Sequence, residues 1–255
     1  MFSIITDPWF YVAAVPAVIL MGLSKGGLGG AFVLMGVPIL SLVVSPVQAA
    51  AILLPALLMM DAVALYAWRG YFDRQLLWHT LPGAAVGIGV GFATAAITPE
   101  GVIRLVVGIV AIVFTAQHFI RAGLKSTEAR EPSAVRGSFW GALAGFTSFV
   151  SHAGAPPFQV YALPLKMDPK IFTGTATIFF AAVNVLKLPA YAALGQFNVE
   201  NVATSLALFP IGALATYAGA LIVKRMSVAV FYNFMYAMVA LIGIKMVYDG
   251  IVSIL

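Results

Sequence analysis

Residues 22–30 read Gly22-Leu23-Ser24-Lys25-Gly26-Gly27-Leu28-Gly29-Gly30, between two apolar runs at 9–23 and 28–44. Five glycines in nine residues do not make a stable helix interior, since each costs about 1 kcal/mol relative to alanine. The stretch therefore breaks a helix inside a strongly apolar region. At membrane depth, backbone away from helical geometry survives only where protein or a water-filled cavity surrounds it. Helix N-termini beside such a break present amides that suit an anion, and Lys25 adds a full positive charge. The simpler reading of the same residues is a turn with one orienting lysine. No GxxxxGK[ST] run is present, so the glycines are not a P-loop.

The rest of the chain puts this break in a membrane. Of 255 residues, 62% are hydrophobic and 9% charged. A soluble domain carries about 25% charged residues, so lipid must be the solvent for most of this chain. The net charge of +5 comes from Lys and Arg in short connections rather than a dense patch, which argues against nucleic acid as a partner. The absence of cysteine excludes disulfides, thiol catalysis and thiolate metal sites. Residues 1–8 hold Asp7 and no Lys or Arg, so the positive start of a signal peptide is missing.

Ten apolar segments follow one another. They run over 9–23, 28–44, 47–68, 77–97 and 101–120, then over 137–150, 154–166, 171–194, 201–223 and 227–250. The only strongly polar stretch is 121–136, a linker containing Arg121, Lys125, Arg130 and Arg136. The expected organisation is a first repeat over 1–120, a cytoplasmic linker over 121–136 and a second repeat over 137–255. In each half the first two segments fall short of the roughly 20 residues a full span needs. The predicted fold is all-α: a polytopic helical bundle of two repeats. Each repeat is a short-helix hairpin with a Gly-rich break, followed by three full spans. The hairpins could be re-entrant or could cross as tilted, broken helices.

The halves align. An offset of 123 pairs Gly22 with Gly145, Ser45-Pro46 with Asp168-Pro169, and Asp61 with Asn184. After short insertions Gly70 falls on Gly195, Pro82 on Pro210 and Gly91 on Gly219. Basic and non-basic connections alternate along the whole chain. The positive-inside rule then puts both termini outside and the linker in the cytoplasm. The two repeats would run in opposite directions, an arrangement known from secondary transporters.

The second tip reads Gly145-Phe146-Thr147-Ser148-Phe149-Val150-Ser151-His152-Ala153-Gly154-Ala155-Pro156-Pro157. Its hydroxyls, its imidazole and the nearby Gln159 can hydrogen-bond an anion's oxygens. Ser151-His152 also resembles a nucleophile and base. Adjacent residues seldom face each other, however, and no orienting acid or oxyanion motif stands nearby. Asp61 lies mid-span, where a carboxylate costs roughly 2.5–3.5 kcal/mol. It either carries a proton or cation, with Asn184 and Lys187 beside it, or forms a structural ion pair with Lys187 or Lys25. Lys245 is placed to snorkel. His79, His118 and His152 lack ligand-like spacing, so no metal site is expected. No cofactor or ATP motif is present. Gly83, Gly87, Gly89 and Gly91 read as a helix-packing face, as do Gly141 and Gly145. Trp9, Trp68 and Trp78 fall near span ends, where interfacial aromatics collect.

On GLSKGGLGGAF, Pro38, Ser45-Pro46-Val47-Gln48-Ala49-Ala50 and GFTSFVSHAGAPPFQVYALP, the chain resembles the TauE/SafE family of sulfite exporters. The resemblance implies a multi-pass carrier of the bacterial inner membrane for sulfite or organosulfonates, usually an exporter, and not an enzyme. Residues Ser151 to Pro156 depart from the Gly-rich second tip of many members. The substrate-binding candidates are Ser24, Lys25, Gly26, Gly27, Gly29, Gly30, Ser148, Ser151, His152 and Gln159. The coupling candidates are Asp61, Asn184 and Lys187, with protons as the coupling ion. A channel-like facilitator is the alternative, with a non-transporting membrane enzyme or assembly subunit behind it.

Overall fold

A computed structural model describes residues 4–5, 7–29, 32–44, 46–94, 99–123, 129–193 and 199–254. Expectations placed on Gly30, Ser45, Lys125 and Gly195 lie outside the described residues. Among the described residues the chain is all-helical. The helices are α1 (Pro8–Lys25), α2 (Val33–Leu40), α3 (Pro46–Ala67), α4 (Arg74–Thr94) and α5 (Glu100–Gly123), then α6 (Ala134–Ser151), α7 (Ala155–Ala162), α8 (Pro169–Ala193), α9 (Val199–Arg225) and α10 (Val228–Ile254). Six of them carry stretches long and apolar enough to cross a bilayer: α1, α4, α5, α8, α9 and α10. The expected polytopic helical fold is found.

The hairpins differ from their expected shape. Each pairs one helix of 18 residues with one of only 8. Eight residues rise about 12 Å, well under the roughly 30 Å hydrocarbon core, so α2 and α7 do not span it. Proline occurs in both of them. Pro38 removes an N–H inside α2. Pro156 and Pro157 sit in the first turn of α7, where a missing N–H is harmless. A 3-10 turn over Leu163–Leu165 follows, and Lys166 ends it in left-handed geometry at φ 50°.

The chain divides into two compact units, one of Met1–Phe72 with Ala176–Met226 and one of Asp73–Thr175 with Ser227–Leu255. In the first, the Asp7 carboxylate accepts from Trp9 N–H at 3.0 Å and starts α1. The buried face of α1 runs Phe10, Ala13, Ala14, Ala17, Val18, Met21 and Gly22, the spacing of one helical stripe. That stripe meets α9 and shares a core with Ile52, Leu53 and Met60 of α3. A Cβ on Gly22 would stand 2.8 Å from Gly212 O, and one on Gly26 2.3 Å from Thr216 O, so α1 and α9 meet backbone to backbone.

In the second unit α4 and α6 pack the same way. A Cβ on Gly83 would reach Ser138 O at 2.0 Å, one on Gly87 Ala142 O at 1.9 Å, and one on Gly145 Ala84 O at 2.2 Å. The packing faces read from the glycines are present, with one correction. Gly89 meets nothing within 4 Å, because it lies two positions from Gly87 and Gly91 and so points off the face they share. A second small-residue seam joins α5 to α10, where Gly108 meets Gly243 and Gly101 meets Gly250. The two units share a packing rule: the first helix of one half lies on the fourth helix of the other. The glycine pair Gly22–Gly212 recurs as Gly145–Ala84, and Gly26–Gly219 recurs as Phe149–Gly91.

Candidate anion site

The first tip is built at the C-terminal end of α1. Gly26 N–H donates to Gly22 O at 2.8 Å and Gly27 N–H to Ser24 O at 3.1 Å. The chain then turns through Gly27 at φ 130° and Gly29 at φ 82°, conformations that only glycine adopts without strain. Lys25 occupies the last turn of α1, where the helix dipole favours a cation.

From there Lys25 reaches another helix. Its Nζ donates to Asp61 Oδ1 at 2.6 Å, with side chains 11% and 6% exposed. Asn184 Nδ2 donates to Asp61 Oδ2, also at 2.6 Å. Both carboxylate oxygens are thus held, by side chains 36 and 123 positions away in sequence. Lys187, one turn beyond Asn184 on α8, is buried and lies within electrostatic reach of Lys25 and Asp61. Ser24 is buried as well, and its hydroxyl has no hydrogen-bond partner among the described residues. Four of the predicted site residues, Lys25, Asp61, Asn184 and Lys187, therefore belong to one buried polar group in the first unit. Of the two ion pairs weighed for Asp61, the geometry is that of Lys25.

Trp68 belongs to this group too, which corrects its expected interfacial place. Trp9 and Trp78 are 71% and 77% exposed, but Trp68 is 1% exposed. Its Nε1 donates to Gly26 O at 3.0 Å and ties the tip to the end of α3. Lys224 Nζ lies 5.2 Å from the Trp68 ring and donates to Ala67 O at 2.7 Å. Trp68 follows a helix end in the sequence, and that cue fits an interfacial ring as well as a buried one.

The second tip lies in the second unit. There α6 ends on His152, whose φ of 54° makes it a left-handed cap. Thr147 Oγ donates to Ala153 O at 3.1 Å, and Ser151 Oγ donates back to Thr147 O at 3.1 Å. Ser148 and Gln159 are buried nearby in the chain, and His152 is half-buried. The proton of Ser151 is thus committed to its own helix, which removes the geometry of a nucleophile activated by His152. Lys245 pairs with Asp249 one turn on, and His118 stacks on Tyr236 with ring centroids 3.4 Å apart.

A buried group of two lysines, one aspartate and one amide has the donors to hold a small oxyanion. A family model described as Sulfite exporter TauE/SafE matches residues 14–246. The chain belongs to the TauE/SafE family. That places it among membrane transporters of sulfite and related sulfur anions, and not among enzymes. The TauE/SafE match takes in both tips and the linker between them. No curated protein and no solved structure gives a significant match.

Proposed function

We propose that the chain is a secondary carrier that exports sulfite or a small organosulfonate across the bacterial inner membrane by alternating access. The observation that carries this reading is the buried group at Lys25. Two lysines stand in this group with one carboxylate, and Lys25 is paired with it. A small oxyanion gains charge-assisted hydrogen bonds from lysine donors held away from water. Ser24, next to Lys25 in the chain, is buried with a hydroxyl that has no partner among the described residues. Within this proposal Lys25, Ser24 and Lys187 bind the anion in the first unit. Gly26, Gly27 and Gly29 let the backbone approach, and Ser148, His152 and Gln159 are the proposed anion donors of the second tip, in the second unit. Asp61, with Asn184, is the proposed carrier of the coupling proton. The shared packing rule of the two units supports a duplicated, inverted arrangement with rocking repeats, and the loop charges support outside termini.

Flux in proteoliposomes tests the reading. Sulfite accumulation against its gradient, driven by an imposed proton gradient, is expected. Strictly downhill flux would make the protein a facilitator instead. Turnover of a substrate without flux would make it neither. Lys25→Ala is expected to weaken sulfite binding about tenfold or more, from loss of a charge-assisted bond, while the protein still inserts. Unchanged affinity removes Lys25 from the site. Because the chain has no cysteine, single introduced cysteines near each terminus report sidedness without background, and labelling from the periplasmic side is expected.

A further inference from the structure

A cavity of about 340 Å³ opens on the second unit. One side is a wall of Ile109, Val113, Phe114 and Trp140 from α5 and α6. Ile109 and Val113 are each 48% exposed, so the wall continues onto the outer face of α5. The other side is charged, with Arg130 and Arg136 standing over it beside Glu131.

The charged side is held in place by the backbone. Arg130 N–H donates to Pro164 O at 2.9 Å. Tyr161 Oη donates to Ser133 O at 3.0 Å and accepts from Ser133 N–H at 3.1 Å. Arg136 Nη2 donates to the Glu131 carbonyl, not to its carboxylate. Neither arginine forms an ion pair among the described residues, whereas exposed Arg104 on α5 pairs with Glu100 at 2.7 Å. The rim thus keeps two guanidinium groups against one carboxylate, within a linker of four basic and two acidic residues.

We propose that this cavity binds an anionic phospholipid from the leaflet that residues 129–136 face. The phosphate sits on Arg130 and Arg136, and the acyl chains lie along Ile109, Val113 and Phe114. Guanidinium groups recognise phosphate with paired hydrogen bonds. Basic pockets at the membrane surface between spanning helices select anionic headgroups, because charge and apolar surface meet there at lipid depth. A soluble anion uses only the charged half of this cavity, and a neutral lipid only the apolar half. The occupant that uses both is an anionic amphiphile. This inference is independent of which anion the protein carries.

Native mass spectrometry of the full-length protein in detergent tests it. Phosphatidylglycerol and phosphatidylcholine of identical acyl chains are titrated in parallel. The wild type is expected to hold phosphatidylglycerol about tenfold more tightly, R130Q/R136Q to bind both lipids equally, and R104Q to keep the preference. Equal binding of the two lipids by the wild type overturns the proposal, as does a preference that survives R130Q/R136Q. So does displacement of the lipid by inorganic phosphate, which would mark a free-anion site. A second measurement needs no arginine variant. In vesicles, brominated phosphatidylglycerol is expected to quench a fluorescence component that W140F lacks, and brominated phosphatidylcholine to quench it less. Equal quenching by both overturns the proposal.

Discussion

The two tips occupy matching places in the two halves, yet they use their polar atoms in opposite ways. After α1, side chains reach across to other helices: Lys25 to Asp61 on α3, and Trp68 back to Gly26. After α6, hydroxyls close the turn on itself: Thr147 to Ala153 and Ser151 to Thr147. Backbone geometry follows the same division. The first tip needs Gly27 and Gly29 at positive φ, while the second turns at His152 alone. Glycines let a backbone come close enough for one lysine to cross to another helix. Hydroxyls make a tip that holds its own shape. At the first tip Lys25 and Trp68 bond across to other elements, and at the second Thr147 and Ser151 bond within the turn.

The sharpest way to break this comparison is at Asp61. Asp61→Asn keeps the shape but strands Lys25 in an apolar setting, at a cost of about 3–5 kcal/mol. We expect a lowered Tm in detergent, recovery of most of it in Asp61→Asn/Lys25→Met, and loss of the pH dependence of flux. A pH dependence that persists would leave Asp61 with a structural role only. Next in size is Gly26→Val. Its Cβ would press on Thr216 O and Ala220 N, both backbone, so α9 must shift. Overpacking of this kind costs about 1–3 kcal/mol, visible as a lower Tm and weaker sulfite binding. Gly89→Ala serves as the contrast, since it meets open space and is expected to raise Tm slightly.

Smaller effects separate the tips further. Trp68→Phe removes one hydrogen bond to Gly26 and is expected to cost about 1 kcal/mol. If the Trp68 ring alone holds the first tip, the Tm of this variant will not change. Ser151→Ala is expected to leave sulfite affinity within about twofold, because its proton goes to Thr147 and a net bond of that kind is worth about 1 kcal/mol. A larger loss of affinity would give the second tip a direct part in binding and erase the contrast.

Much of this was legible in the residues. The apolar runs, the glycine faces of α4 and α6, and the isolation of Asp61 in an apolar span all read directly from composition and spacing. The length of α2 did not. The run 28–44 is apolar throughout, and hydropathy has no means of showing that Val33–Leu40 alone is helical. Spacing alone also left the ion-pair partner of Asp61 open between Lys187 and Lys25. In a soluble helix a polar face shows which side is buried. Here α3 is apolar all round, because lipid and protein core ask for the same side chains. Its rotation about its own axis therefore leaves little trace in the sequence. The same ambiguity concealed Trp68, since a tryptophan at a helix end satisfies headgroups and a packed tip equally well.

One bond has a meaning that belongs to the history of the chain. Asp61 and Asn184 are separated by 123 residues, the same offset that aligns the two halves. If the halves are copies, each residue here is touching its own duplicate. Before the copies diverged, that contact joined two identical side chains. Two carboxylates would repel, and two amides would leave Lys25 without a counter-ion. One of each lets the amide donate to the carboxylate while the carboxylate holds the lysine. On that condition the duplication supplied the contact, and a difference at one position lets one side donate and the other accept.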